Sequence, residues 1–138
     1  MALPHAREAR SFYQAAMQRF SDAQFLLDNK RTTGAVYLAG YSVECMLKAL
    51  LLSVLSPGER ADMVKSFLGS KGHNFAWLKR RYLENGGPPV PATVERRLMV
   101  AATWRTDMRY LSSALRESEA RLFLAACEGI LSWVDGRL

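Results

Sequence analysis

Apolar residues recur along most of this chain three and four residues apart, which is the spacing of one face of an α-helix. The first predicted helix, about 4–29, carries an inward stripe of Phe12, Ala16, Phe20, Ala23 and Leu27. No segment alternates apolar and polar residues as a half-buried β-strand does. The pattern therefore predicts an all-α protein.

A second helix is predicted at about 34–55, with Thr33 as its N-cap. It is apolar almost all round, which predicts a central position among the helices. Its polar side chains follow at intervals of four, three and four residues, so they share one helix face: Tyr37, Tyr41, Glu44 and Lys48. Glu44 and Lys48 also stand in the order that favours an ion pair within a helix.

Capping and turn signals divide the rest of the chain. The segment 56–59, SPGE, is a capping box that begins a short helix, and Asn74 caps another through FAWLKRRYL. The segment 85–91, NGGPPVP, is the clearest loop and is too short to link two domains. Helices at about 92–104 and 118–136 follow, the last with Leu122, Ala126, Ile130 and Trp133 facing the core. We predict one domain over residues 1–138, an up-and-down bundle of four long helices and one or two short ones.

The second helix is also long enough to span a bilayer. Glu44 and Lys48 lie near its middle, where each charge costs roughly 2.5–3.5 kcal/mol on insertion scales, so the core helix of a soluble protein is favoured. The first twenty residues lack the apolar run of a secretory signal. The two cysteines, Cys45 and Cys127, fall in apolar helical stretches, which is typical of reduced, buried thiols. We therefore expect a cytoplasmic protein.

The net charge of +6 favours a polyanionic partner, through neutralisation of phosphate and steering. The segment 103–110, TWRTDMRY, concentrates this charge, since Arg105 and Arg109 stand four residues apart and Tyr110 follows. The segment either binds a phosphate or ends a helix that packs on the core. The spacing of His and Cys residues predicts no metal site, the chain has no Gly-rich phosphate loop, and we expect no cofactor.

The order of several motifs resembles the HEPN domains of prokaryotes. These motifs are LAGYSVECMLKALL in the second helix, GHNFAWL at the start of a short one, Trp104 with Arg109–Tyr110, and ILSWV in the last helix. The resemblance implies a helical bundle that dimerises around a groove. It also implies either an endoribonuclease that uses no metal, often a toxin paired with a nucleotidyltransferase or part of phage defence, or a module that binds RNA or a nucleotide, or regulates.

Catalytic members of that family carry an arginine followed, after four to six residues, by a histidine. Neither His5 nor His73 has an arginine at that distance before it. Placing Arg105 on the family arginine puts Tyr110 where the nearest histidine would fall. The preferred placement matches Arg109–Tyr110 to the Arg–Tyr pair of members without the nuclease motif, although Leu111 stands where a proline is usual.

The chemistry favours binding over cutting. Arginine holds a phosphate through its planar donors, but tyrosine, with a pKa near 10, is a poor acid–base group at neutral pH. His73 either replaces the missing histidine or only flanks the helix that Asn74 caps. Glu44 and Lys48 either line a groove with Arg105, Arg109 and Tyr110, or form a structural ion pair. In the second case Glu44 also accepts from an arginine such as Arg109.

Three functions remain open at this point. The preferred one is a dimeric module that binds RNA or a nucleotide through Arg105, Arg109, Tyr110 and Lys48, with a nucleotidyltransferase or defence effector as partner. The second is a ribonuclease toxin with a divergent site, for which Arg105, Arg109, Tyr110 and His73 are the catalytic candidates. The third is an oligomerising adaptor without a ligand.

Overall fold

The computed structural model describes residues 3–110 and 114–138, except for the side chain of Arg109. Six α-helices follow in order: α1 Arg7–Asp28, α2 Thr32–Ser53, α3 Pro57–Ser66, α4 Phe75–Glu84, α5 Ala92–Ala101 and α6 Glu117–Asp135. Two 3₁₀ helices, η1 Ser70–His73 and η2 Thr106–Tyr110, lie between them. The described residues contain no strand, and the predicted all-helical fold class is confirmed. Three helices have 19 to 22 residues and three have ten.

The central element is α2, which packs against α1, α4, α6 and η2. Its residues are apolar on most sides, so burial of most of the helix removes a large apolar area from water, which stabilises the fold by roughly 25 cal/mol per Å². By length and composition α2 could also cross a membrane, but 78% of its most apolar stretch is buried inside the protein. The core helix of a soluble protein has the same properties, so this composition is weak evidence for a membrane span.

A three-residue turn joins α1 to α2. Lys30 has a φ of 61°, in the left-handed region that non-glycine residues enter at a cost of roughly 1–2 kcal/mol. Two backbone hydrogen bonds at the end of α1 offset part of that cost. The amides of Lys30 and Arg31 donate to the carbonyls of Leu27 and Leu26 at 3.0 and 2.8 Å. The two longest helices are thereby set side by side.

The start of α2 differs from the prediction. The helix begins two residues early, at Thr32, so Thr33 lies inside it and is not the N-cap. The two threonine hydroxyls instead hold the chain that leads into α6. Thr32 Oγ1 donates to the Leu115 carbonyl at 2.6 Å, and Thr33 Oγ1 accepts from the Leu115 amide at 3.2 Å. These long-range bonds outweigh local capping.

The inward face of α6 also differs in part from the predicted one. Leu122 is 70% exposed, whereas Phe123 and Leu124 are buried. The apolar face of this helix is therefore centred one to two residues further along the chain, and it continues through Cys127, Ile130, Leu131 and Val134. Two predicted caps are confirmed: the box at Ser56 and Glu59 starts α3, and Asn74 Oδ1 accepts from the Trp77 amide at the start of α4.

Candidate functional site

A cleft of about 370 Å³ lies where η1 and the start of α4 face the segment between α5 and η2. The residues that line it are polar (Ser70, His73, Asn74, Arg105 and Thr106) and apolar (Phe75, Ala76, Ala102 and Trp104). The cleft thus gathers a histidine, an arginine and aromatic rings from segments that are about thirty residues apart in the chain. That combination suits a ligand with both a negative charge and an apolar part.

Trp104 forms the floor of the cleft and fixes it to α2. Its ring stacks on Phe75 with centroids 5.6 Å apart and meets the edge of Tyr41 at 4.9 Å, and its Nε1 donates to the Tyr37 carbonyl at 3.1 Å. Gly40 makes this approach possible, because a Cβ at that position would lie 2.2 Å from the indole ring. The position of Arg105, the next residue, is set by this anchor.

Glu44, Lys48 and His73 form an ionic cluster in which His73 lines the cleft and the other two side chains are buried beside it. The Glu44 carboxylate accepts from Lys48 Nζ at 2.7 Å through Oε2 and pairs with His73 Nδ1 at 2.6 Å through Oε1. The side chains of Glu44 and Lys48 are only 4% and 7% exposed, whereas that of His73 is 43% exposed. The histidine therefore joins a buried carboxylate to the open cleft.

Arg105 lies across the cleft from His73, on the segment between α5 and η2, and its side chain is mostly exposed to solvent. Its Nε is 3.3 Å from Asp107 Oδ1, and the two side chains are 71% and 61% exposed. An exposed pair of this kind is worth only about 0.2–1 kcal/mol. The guanidinium can therefore exchange Asp107 for a phosphate at small cost.

The remaining predicted site residues are not all brought to the cleft. Tyr110 ends η2 and is 74% exposed, but it is not among the described residues that line the cleft. Arg109 lies in η2, and its side chain is outside the described residues, so its predicted bond to Glu44 stays a prediction. Both oxygens of Glu44 already have partners, in Lys48 and His73.

The prediction that Lys48 binds phosphate does not fit the structure. Its ammonium is enclosed by Glu44 and by the rings of Phe12 and Phe67, whose centroids lie 5.5 and 5.1 Å away. A group that is buried and already paired cannot reach a ligand in the cleft without breaking these contacts. The predicted ion pair of Lys48 with Glu44 is present instead.

The cysteine next to Glu44 is not a nucleophile at neutral pH. Burial, with a further contribution from the Glu44 charge, raises the pKa of Cys45 to about 11, so the thiol stays protonated. Burial also raises the pKa of Cys127. Across the part of the chain that the structure describes, no group of three or more His, Cys, Asp or Glu side chains could hold a metal ion.

The pairing of Glu44 with His73 was missed by sequence reasoning. Both residues were singled out, Glu44 on the polar face of α2 and His73 beside the Asn74 cap, but 29 residues separate them. Periodicity places a residue on a face, and it does not say which loop covers that face. Only the path of the chain through α3 and η1 brings the two together.

A family model described as HEPN domain matches residues 9–137 of the chain. The match includes every residue of the cleft and of the ionic cluster. No curated protein and no solved structure matches the chain significantly.

Proposed function

The chain belongs to the HEPN domain family, and from that premise we propose that it binds RNA or a nucleotide in the cleft between η1 and Arg105. The observation that carries the proposal is the arrangement of Arg105 and His73 on two walls of one cleft. Arginine offers several donors to a phosphate in one plane, and its charge does not depend on pH. The net charge of +6 supports a polyanionic ligand.

The apolar side of the cleft supports contact with a base or a ribose. Phe75, Ala76 and Ala102 also border an adjoining groove of about 140 Å³, which continues along α4 and α5 to Leu98 and Met99. Met99 is 72% exposed, so it offers a flexible apolar surface at the end of this groove. A nucleotide with its phosphate at Arg105 can place its base on this side.

The wider role is also a proposal. We place the protein in the cytoplasm as a homodimer, in a bacterial toxin–antitoxin or phage-defence system, with a nucleotidyltransferase or a defence effector as its partner. The family supports this assignment, since its members often dimerise, bind RNA and act as toxins or in defence. We also place Tyr110 and Arg109 at the edge of the RNA-binding surface, because both belong to η2, directly after Arg105 and Asp107.

Binding can be tested by fluorescence anisotropy with a labelled single-stranded RNA and with a labelled mononucleotide. A charge-assisted hydrogen bond is worth about 1.5–3 kcal/mol, so Arg105→Ala is expected to weaken binding by about tenfold or more. The matched control is Arg121→Ala on α6, because Arg121 is also exposed and paired, with Glu117 at 2.7 Å.

The control separates a site from a general attraction of charge. Loss of binding in Arg105→Ala with no loss in Arg121→Ala supports the cleft. Equal losses in both variants contradict it, because the ligand would then respond only to net charge. If the wild-type protein binds neither probe, the binding proposal fails and an adaptor role gains support.

A further inference from the structure

A cavity of about 310 Å³ lies where the segment before α1 faces the end of α2, the helix α3 and the residues after α6. We propose that this cavity binds a phosphate dianion, either free phosphate or the phosphate group of a small monoester. Its basic lining residues are His5, Arg60 and Arg137, and it shares no lining residue with the cleft that contains Arg105. This phosphate site is therefore separate from the site proposed for RNA.

The first support is the sign of the charges around the cavity. Arg60 comes from α3, Arg137 follows α6 and His5 precedes α1, so three distant parts of the chain each contribute a basic side chain. No Asp or Glu side chain is among the described residues that line the cavity. The ion pairs found in the described part of the chain involve other groups. An anion in the cavity would therefore offset the repulsion between the two guanidiniums.

The acidic residues closest in sequence to the two arginines are directed elsewhere. Asp135, two residues before Arg137, accepts from the Tyr13 hydroxyl at 2.8 Å. On α3, Glu59 belongs to the capping box at the start of the helix, and it lines a different cavity together with Asp62. Neither guanidinium is therefore neutralised by a carboxylate of the described residues in direct contact.

Two helix ends also lie at the cavity, and they do not decide which charge it attracts. The helix α1 begins after Ala6 and α2 ends at Ser53, so the positive end of one helix and the negative end of the other are both present. The last carbonyls of α2 already have donors: Ser53 Oγ donates to the Leu50 carbonyl at 2.6 Å, and Arg60 Nε donates to the Leu52 carbonyl at 3.3 Å. The basic side chains therefore determine the charge that the cavity prefers.

The second support is that the arginines are positioned while most of their donors stay unused. The bond from Arg60 Nε to the Leu52 carbonyl holds that side chain, and its two terminal nitrogens have no partner among the described residues. The guanidinium of Arg137 lies over the ring of Trp133, 5.6 Å from the ring centre, and makes no hydrogen bond within the described ranges. Each guanidinium therefore still offers planar N–H donors, which match the oxygens of a phosphate.

The third support is the apolar part of the cavity. Its lining includes Pro4 and Ala6, which are buried, and Val54 and Leu138, which are partly buried. The segment before α1 is held in place because Arg10 Nε donates to the Pro4 carbonyl at 2.9 Å. Apolar surroundings strengthen the attraction between an anion and the guanidiniums, since the local dielectric constant is lower than that of water. The volume exceeds that of one phosphate ion, so the carbon atoms of a monoester have room beside these side chains.

The charge of the cavity matches a phosphate monoester better than a carboxylate or a phosphodiester. A phosphate monoester loses its second proton at a pKa of about 6, so at neutral pH it carries nearly two negative charges on three accepting oxygens. Two guanidiniums balance that charge, and His5 adds a third positive charge when it is protonated. A carboxylate, or one phosphodiester of RNA, carries a single negative charge and leaves one guanidinium unbalanced.

The test is isothermal titration calorimetry of the full chain with inorganic phosphate and with glycerol 3-phosphate, using chloride at matched ionic strength as the blank. Arg60→Gln and Arg137→Gln are each expected to weaken binding by about tenfold or more, because each removes hydrogen bonds to a charged group. The matched control is Arg121→Gln, which also removes one positive charge, from an exposed arginine that pairs with Glu117 on α6. Titrations repeated with Arg105→Gln as the background remove any contribution from the cleft.

Binding that is weakened in Arg60→Gln and Arg137→Gln but kept in Arg121→Gln supports the site. Tighter binding of glycerol 3-phosphate than of inorganic phosphate identifies a monoester as the ligand, and equal affinities identify the free ion. Arg137→Gln guards against a folding defect in Arg60→Gln, because Arg137 is exposed and circular dichroism should show it folded. The site is overturned if the wild type binds neither probe, if Arg121→Gln weakens binding equally, or if binding disappears in the Arg105→Gln background.

Discussion

An ion pair lies on each side of the cleft, and one pair is buried whereas the other is exposed to solvent. On one side Glu44 and Lys48 form an ion pair whose side chains are 4% and 7% exposed, and His73 is tied to it. On the other side Arg105 and Asp107 form a pair whose side chains are 71% and 61% exposed. The distances, 2.7 and 3.3 Å, differ much less than the degree of burial does.

Because of this difference in burial, the two ion pairs are suited to different roles. A buried charge that loses its partner keeps its full desolvation penalty. Breaking the Glu44–Lys48 pair therefore costs a large free energy, and the pair holds its geometry. An exposed pair is screened by water and salt, so Arg105 can leave Asp107 at little cost. The buried wall is suited to orienting a side chain, and the exposed wall is suited to exchanging one anion for another.

The largest effect is expected when the buried pair is broken. Lys48→Ala leaves the Glu44 carboxylate buried without its cation and removes the contacts with Phe12 and Phe67, so the free energy of unfolding should fall by about 3–5 kcal/mol. Urea denaturation followed by circular dichroism measures this change. The matched control is Lys79→Ala, since Lys79 pairs with Glu95 at 2.9 Å at 29% and 39% exposure, and it should cost about 1 kcal/mol or less.

A compensating change sharpens this test. Replacement of a buried pair by apolar or neutral groups of similar volume is often neutral, so Glu44→Gln/Lys48→Met should recover most of the stability that Lys48→Ala loses. If Lys48→Ala and Lys79→Ala destabilise the protein equally, burial does not distinguish the two pairs and the comparison fails.

The next effect is expected at the residue that joins the two walls. A methyl group at position 40 would lie 2.2 Å from the indole of Trp104, so Gly40→Ala must displace the ring that forms the floor of the cleft. Overpacking of this kind costs about 1–3 kcal/mol, visible as a lower unfolding midpoint in urea. Because Arg105 follows Trp104 in the chain, RNA binding should weaken as well.

Gly58→Ala on α3 is the control for Gly40→Ala. Nothing lies within 4 Å of a Cβ at position 58, and alanine favours a helix over glycine. Gly58→Ala should therefore leave stability unchanged or raise it by up to about 1 kcal/mol. A Gly40→Ala protein as stable as Gly58→Ala would show that Trp104 is not held against α2.

The two walls were also unequally predictable from the sequence. Period and capping predicted the helices, the central place of α2 and the Glu44–Lys48 pair, because these depend on neighbours within four residues. The contact of Glu44 with His73 depends on the path of the chain over 29 residues, and no local pattern contains it. Lys48 was assigned to the phosphate because its face of α2 was predicted and the covering rings of Phe12 and Phe67 were not.

Errors at helix ends have the same origin. The hydroxyls of Thr32 and Thr33 bond to the backbone of Leu115, some eighty residues further along the chain, so α2 begins earlier than a local N-cap at Thr33 predicts. On α6, Leu122 fits a periodic stripe as well as its neighbours do, but Phe123 and Leu124 are the residues that are buried where α6 packs in the bundle, mainly against α2 and α5. Tertiary packing decided between equivalent local choices in both places.

The smallest effect, and the most specific one, is expected on the exposed wall. Asp107→Asn removes the carboxylate that competes with a phosphate for Arg105, while both residues remain mostly in water. An exposed pair is worth about 0.2–1 kcal/mol, so the free energy of unfolding should change by no more than that, and RNA should bind up to about fivefold more tightly. Fluorescence anisotropy at low salt measures the gain, because salt screens it.

The control for Asp107→Asn is Glu117→Gln, which removes one negative charge from another exposed pair, that of Glu117 with Arg121 on α6. Both variants raise the net charge by one, so a general electrostatic effect would tighten RNA binding equally in the two. Tighter binding in Asp107→Asn alone requires that the ligand and Asp107 compete for the same guanidinium. Weaker binding in Asp107→Asn would mean that Asp107 holds Arg105 in place for the ligand, and the exposed wall would then be as fixed as the buried one.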